Sequence, residues 1–530
     1  MTKTMLRILI ISLWCSGLLH AQYRANIALP SLSNLKIDEQ QQLSKVDSRF
    51  YSYLGLYSAK RSLEETVYTD TVNKNTEYKD SVYQDTAHNK YGDLRNDKAE
   101  FNKHYPLWTV ALKVTGANVA TFLIDRYIFN YDFSRVGFNS WNHNIQTGWE
   151  WDQDRFGMNF IVHPYSGSAF FNGARSSGYN FWESAPFATL GSLEWEYFGE
   201  NTLPSYNDLI NTTVDGIFIG EVFYRIGSDI LNDQTTGLDR FFREVSVAIL
   251  SPTRAFSRLT QGKMFRVTSE EVYQQEPLNV TLMLGRRMVN NGSNFMTGPA
   301  NLLFEINLDY GNPFEIRSRK PFDCFKVSMD ITQGVGRKIL DNITGYGLLL
   351  GSNVHSGRFD MLVGGFQHFD YFDNKTFELG TIGFGPGIIT KLQVSHNTNL
   401  YTNVNIGVVP LAGNSTRFGP DTTQLRDYNY GGGAESKLEC TLNIGSRVGL
   451  SLVGYYFWIH TYVGDAEDHY IGIVKPGIGV RLFNNLSIGI EHLVYYSDRY
   501  TRDFGNFHQV RTEQRVNLTL LFENFKQQKK

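Results

Sequence analysis

The chain of 530 residues holds three cysteines, Cys15, Cys324 and Cys440, too few for a disulfide framework at this length. Spacing alone leaves open whether Cys324 and Cys440 are bridged or free. No histidine or cysteine pattern has zinc-site spacing, and HExxH, GxSxG and phosphate-loop motifs are absent, so no metal or other cofactor is expected. Charge of one sign is also missing: 50 basic against 53 acidic residues leave a net −3, which excludes nucleic acid as an expected partner. Beyond residue 21 no uninterrupted apolar run reaches the roughly 18 residues of a membrane-spanning helix.

Aromatic residues, by contrast, make up 14% of the chain, with 30 Tyr and 37 Phe beside 48 Gly and only 14 Pro. Mean hydropathy is nevertheless −0.30. A membrane protein of polar average composition fits a β-barrel, in which alternate residues face lipid and lumen. Residues 1–21 read as a secretory signal: Lys3 and Arg7 precede the apolar run Ile8–Leu19, and Ala21 stands before Gln22. Export places the chain in the envelope, and Cys15 in the discarded peptide.

Residues 22–105 are polar and irregular, and are expected to form a flexible arm. Within it Asp70-Thr71-Val72, Asp80-Ser81-Val82 and Asp85-Thr86-Ala87 resemble the Asp-Ser/Thr-apolar glycosylation signal of some Gram-negative envelopes. Residues 106–260 read as a helical unit. A helix is expected near 108–129, short strands near 147–151 and 156–162, and helices at about 168–176, 184–199, 205–231 and 237–250.

Over residues 265–525 the texture changes. Leu278, Val280, Leu282 and Leu284 alternate with Asn279, Thr281, Met283 and Gly285, and the same two-residue rhythm returns around Phe304, Val327 and Leu438. A period of two gives each segment one apolar and one polar face. The segments are long for a globular sheet, aromatics gather near their ends, and Val516, Leu518, Leu520 and Phe522 resemble a C-terminal barrel-insertion signal, from which the tail Lys526–Lys530 departs. About 260 residues at roughly 20 per strand and turn predict an outer-membrane-type barrel of about twelve antiparallel strands. The strand pair near Trp149 would make fourteen. The helical unit is expected to plug the lumen, with a periplasmic cap as the rival placement. Outer-membrane lipid and the barrel-insertion machinery are the expected partners, in the outer membrane of a Gram-negative bacterium.

The densest constellation runs from His163-Pro164-Tyr165-Ser166-Gly167 through Asn172-Gly173-Ala174-Arg175, Phe181-Trp182-Glu183-Ser184 and Gly191–Glu200 to Pro204–Leu209 and Gly216–Arg225. These residues resemble the domain-of-unknown-function family 3943 of envelope proteins over about 106–260, a likeness that implies location and no activity. Glu196, Glu200, Ser205, Asp208 and the Gly216/Gly220 pair also look like the acidic helical hairpin of VanZ-like membrane proteins. Thr212 and Asp215 depart from that pattern.

Glu196 and Glu200 share one helix face, as do Asp208, Asn211, Thr212 and Asp215. The step from Gly216 to Gly220 suits close helix contact. His163, Glu196, Glu200 and Asp208 are therefore the candidate catalytic groups, with Ser166 or Ser168 as nucleophile. Arg175, Arg225, Asp215 and Tyr165 are the candidate binding residues. The competing account pairs the acidic faces with Arg175, Arg225, Arg240 and Arg243 inside a polar lumen. Three functions follow: a filled barrel in envelope transport, assembly or scaffolding; a barrel enzyme acting on envelope lipid or glycan; an open porin, for which the helical unit has no use.

Overall fold

A computed structural model describes residues 104–152, 154–291, 297–333, 339–374, 376–415, 428–503 and 505–522. The expected signal peptide, nearly all of the arm with its glycosylation-like triplets, and the tail 523–530 lie outside the described residues.

Twelve strands form the C-terminal half: β1 Leu278–Asn291, β2 Ala300–Tyr310, β3 Phe325–Gln333, β4 Leu340–Ser356, β5 Phe359–Asp373 and β6 Glu378–Ser395. They continue as β7 Thr398–Ser415, β8 Tyr428–Ile444, β9 Val448–Val463, β10 Glu467–Arg481, β11 Leu486–Thr501 and β12 Gly505–Phe522. Each pairs antiparallel with its sequence neighbours, and β1 pairs with β12 through Val280↔Phe522 to Asn291↔Arg511. The sheet is a closed barrel, so no strand edge remains to be satisfied by solvent.

Ion pairs between strands that are not neighbours identify the lumen. Lys326 Nζ on β3 donates to Glu439 Oε2 on β8 at 2.9 Å, and Lys437 on β8 reaches Asp370 on β5 at 2.5 Å. Arg515 on β12 binds Glu305 on β2 at 3.0 Å and Asp330 on β3 at 2.9 Å. An apolar cluster also crosses the interior, where Phe372 meets Phe457 (ring centroids 6.0 Å) and Phe377 meets Tyr495 (6.1 Å). The strands therefore occupy part of the lumen with their own side chains. Beside the apolar cluster a cavity of about 350 Å³ remains, lined by Glu305, Lys326, Lys475, Glu491 and Arg515 among others.

The alternate residues face outward. Leu284, Leu302, Ile388, Leu452, Ile490 and Leu518 are exposed apolar side chains, the surface a barrel turns to acyl chains. In the same outward register, however, Leu278, Val280, Ile306, Leu308, Phe369 and Ile382 are buried. Their cover is the helical unit.

That unit comprises α1 Leu107–Leu123, α2 Phe138–Thr147, α3 His163–Arg175, α4 Phe181–Glu194, α5 Tyr206–Ile230, α6 Gly237–Leu250 and α7 Pro252–Thr260. Wider π-type turns follow α1 (Ile124–Phe129) and α4 (Trp195–Gly199), and another, Met158–Val162, precedes α3. A capping box starts α4: Glu183 N donates to Asn180 Oδ1 at 3.0 Å and Asn180 N to Glu183 Oε2 at 2.8 Å. Ser205 caps α5 by accepting from Asp208 N. Helices α3 and α5 cross at glycine: a Cβ on Gly167 would overlap the Thr212 carbonyl, and one on Gly216 would lie 2.6 Å from Gly167 Cα.

Contacts between unit and barrel are made by outward strand residues. Phe218 stacks on Phe369 at 5.7 Å, Phe156 lies 5.3 Å from Tyr371, and Val214 O accepts from Gln367 Nε2 at 2.9 Å. Phe160 fills the shallow places over Gly380 and Gly413, where any Cβ would collide with its ring. Asn159 Nδ2 donates to the hydroxyls of Tyr428 (2.5 Å) and Tyr430 (2.7 Å).

Two expectations are thereby corrected. The helices do not plug the lumen: they lie on the outer wall over β1–β8, because the outward faces there carry the large apolar residues that helices pack against, while the lumen is occupied by charged strand side chains. The pair of short strands near Trp149 is absent from the described residues. Glu150 makes one bridge to Ser205, residues 158–162 are helical, and the barrel has twelve strands rather than fourteen.

Candidate functional site

Three chain segments meet at the N-terminus of α5. Tyr206 N donates to Glu150 O and Glu150 N to Pro204 O, both at 2.9 Å, which brings Asp152 and Asp154 to the helix end. Asn207 Nδ2 donates to Asp152 Oδ1 at 2.6 Å and to Asp208 Oδ1 at 2.8 Å. His163, the first residue of α3, points at the same place: its Nε2 lies 3.4 Å from Asp208 Oδ1 and 3.9 Å from Asp154 Oδ2. Glu196, on the π-type turn after α4, accepts the Ser205 N–H at 2.7 Å. The four residues singled out for catalysis, His163, Glu196, Glu200 and Asp208, are thus gathered into one cluster.

Its electrostatics follow from burial. Desolvation pushes the Glu200 carboxyl up to about 8 and the Glu196 and Asp208 carboxyls well above the usual carboxylate range. Burial alone would lower the His163 imidazole, but Asp208, Asp154 and Glu196 outweigh it and hold it up at about 10. Imidazole and carboxyls thus compete for the same protons, because His163 is raised only where the acids beside it are ionised. It opens toward water past Asp154, whose side chain is half exposed. Chemically it presents an imidazole facing several carboxyl groups, an arrangement able to donate or relay protons.

The expected binding residues do not join it. Arg175 and Arg225 both clasp Glu221, with Arg175 Nε at 2.7 Å from Oε2 and Arg225 Nε at 2.7 Å from Oε1. Arg225 also donates to Pro321 O at 2.7 Å, and Arg175 stacks 4.2 Å from the Tyr224 ring centroid. Both guanidinium groups thus hold α3, α5 and the loop before β3 together. Tyr165 donates its hydroxyl to Ile249 O at 3.3 Å. Asp215 is buried beside the glycine crossing, two turns along α5 from Asp208, and neither of its carboxyl oxygens has a hydrogen-bond partner. Ser168 Oγ donates to Tyr165 O at 2.6 Å, within its own helix. Arg240 pairs with Asp233 (2.8 Å) and Glu244 (2.9 Å), and Arg243 with Asp239 (3.1 Å).

Sequence reading missed Asp152, Asp154, Ser205's partner Asn207, and Asn159. Asp152 and Asp154 sit in an irregular segment with no periodicity to aim them, and only the bridge at Glu150 carries them to His163. Cys324 and Cys440 are free thiols, at the β3 end and on β8.

No curated protein matches the chain. Among solved structures, the NanC porin is similar at 9% identity and a TM-score of 0.27, over 45% of this chain and 98% of its own. Outer membrane phospholipase A from Escherichia coli is similar at 12% identity and a TM-score of 0.25, over 45% of this chain and 95% of its own. The outer membrane channel DcaP of Acinetobacter baumannii is similar at 7% identity and a TM-score of 0.23, over 47% of this chain and 98% of its own. The barrel assignment itself rests on the strand pairing. Within the helical unit, residues 148–253, which include the His163 cluster, match the family described as Domain of unknown function (DUF3943).

Proposed function

We propose that this chain works in a Gram-negative outer membrane as a closed barrel that braces a helical unit on its outer wall, in an assembly or scaffolding role rather than as a pore. One observation carries this reading: the lumen is crossed both by the Phe372–Phe457 and Phe377–Tyr495 contacts and by ion pairs linking β3 to β8 and β5 to β8. An ion passing through would have to break the buried Lys437–Asp370 pair, whose partners would be left uncompensated. The barrel then supplies a rigid wall, and the face it offers to the helices supplies the function. In planar bilayers the purified chain is expected to give no steady single-channel current; a stable large conductance would restore the porin reading and end this one.

A second reading is favoured by the His163–Asp208 approach of 3.4 Å, with Glu196 and Glu200 beside it. Here the cluster acts on an envelope lipid or glycan, His163 moving the proton and Asp208 orienting it. Replacing His163 by Ala would then change the envelope lipid or glycan profile of cells in which the barrel still folds. An unchanged profile retires the enzyme.

A further inference from the structure

Soluble helices bury apolar stripes and expose charge. On the outer helices of the helical unit the arrangement is reversed. On α6, Arg240, Arg243 and Glu244 are buried while Leu238 and Phe241 stand exposed, at 75% and 57%. On α7, Arg254 and Arg258 are buried while Phe256 and Leu259 are exposed. The buried charges satisfy one another: Arg258 pairs with Glu244 at 2.7 Å, and Arg254 Nη2 donates to Ser228 Oγ at 2.9 Å.

The stretch Leu107–Phe129, α1 with its π-type turn, repeats the pattern over 23 residues and is apolar enough to cross a membrane. At about 1.5 Å per residue it is about 34 Å long, enough for a hydrocarbon core of roughly 30 Å. Three of its polar residues turn inward. Lys113 Nζ donates to Ser177 Oγ at 2.7 Å, Asn118 Nδ2 to Gly191 O at 2.9 Å, and Asp125 is buried. Trp108, Leu112, Val119, Tyr127 and Ile128 face outward, Tyr127 and Ile128 being 73% and 70% exposed.

We propose that the outer helices of this unit enter the bilayer: Leu107–Phe129 crosses it as a helix, and the outer faces of α6 and α7 meet acyl chains. Two observations select lipid over a protein partner. The unit sits on outward residues of β1–β8, in the register whose uncovered members Leu284, Leu302 and Ile388 form the barrel's apolar belt, so its outer surface continues that belt. The exposed apolar residues also lie on several helices rather than in one patch, as an all-round solvent requires and a single docking partner does not. This inference does not depend on whether the lumen conducts.

The test uses the full chain in phosphatidylcholine liposomes. Nitroxide labels are placed one at a time at Val119→Cys, Phe241→Cys and Phe256→Cys in a Cys15→Ser, Cys324→Ser, Cys440→Ser background, with Leu452→Cys on the barrel belt and Asp132→Cys as references. Power saturation is expected to show all three more accessible to oxygen than to an aqueous nickel chelate, like Leu452→Cys. Accessibility like that of Asp132→Cys overturns the proposal. A second measurement needs no variant. With a diazirine in the acyl chain, photolabel in the unmodified protein is expected on peptides covering 107–129 and 237–260 as well as on β9; label on β9 alone overturns it.

Discussion

The barrel and the helical unit both carry charge inside and apolar side chains outside, but they reach that state by different rules. In the barrel a two-residue period does it mechanically, since each strand residue turns to the opposite side from its neighbour. Glu305 and Asp309 face in because Phe304 and Leu308 face out. In the helical unit no such period exists, and each buried ion needs its own partner: Glu221 holds Arg175 and Arg225, Asp233 and Glu244 hold Arg240 and Arg258. The lesson is that an inverted polarity written as alternation can be read residue by residue, whereas one written as pairs is visible only after folding.

The largest effect that tests this comparison removes one hub from each region. Arg515→Ala leaves Glu305, Asp330 and Glu513 facing one another in the lumen, and Glu221→Ala leaves Arg175 and Arg225 without their shared carboxylate. Each is expected to cost about 3–5 kcal/mol, as breaking a buried pair does. Urea unfolding in detergent measures both, with gel mobility reporting the barrel and tryptophan fluorescence the helical unit. A cost near zero for Glu221→Ala alone would mean that the helical pairs are solvated and the two regions are not alike.

A smaller effect separates the regions by pH. Folding raises Glu200 from its ordinary 4.5 to about 8 and His163 from 6.5 to about 10, so the folded cluster binds protons that the unfolded chain releases. Its stabilisation is present at low pH and is lost as pH rises through these values. Between pH 6 and pH 9 the helical unit is expected to lose stability, and His163→Ala is expected to flatten the slope. Urea midpoints for the helical unit across that range measure it; a midpoint that climbs with pH would show that the His163 cluster is not a proton-holding one.

How far each part was legible follows from the same contrast. The run Leu278, Val280, Leu282, Leu284 reads directly as a strand, and twelve such segments close as counted. The cluster of His163, Glu196, Glu200 and Asp208 was legible as residue types, because carboxyls four apart share a helix face and Gly216 marks a close crossing. The pairing of Arg175 and Arg225 with Glu221 was not legible, since Glu221 is 46 and four residues away and only the α3–α5 contact unites them. Residues 107–129 were passed over as a spanning helix because Lys113, Asn118 and Asp125 interrupt the apolar run. The fold turns all three inward.

The amino-acid order alone settled strand period, barrel class and the supply of acids beside His163, because local periodicity and composition act within a few residues. Tertiary structure decided that the helices lie outside the wall rather than within it. That choice depends on what fills the lumen: Lys326 with Glu439 and Lys437 with Asp370 meet across more than sixty residues of chain, and the space they occupy is closed to any helix.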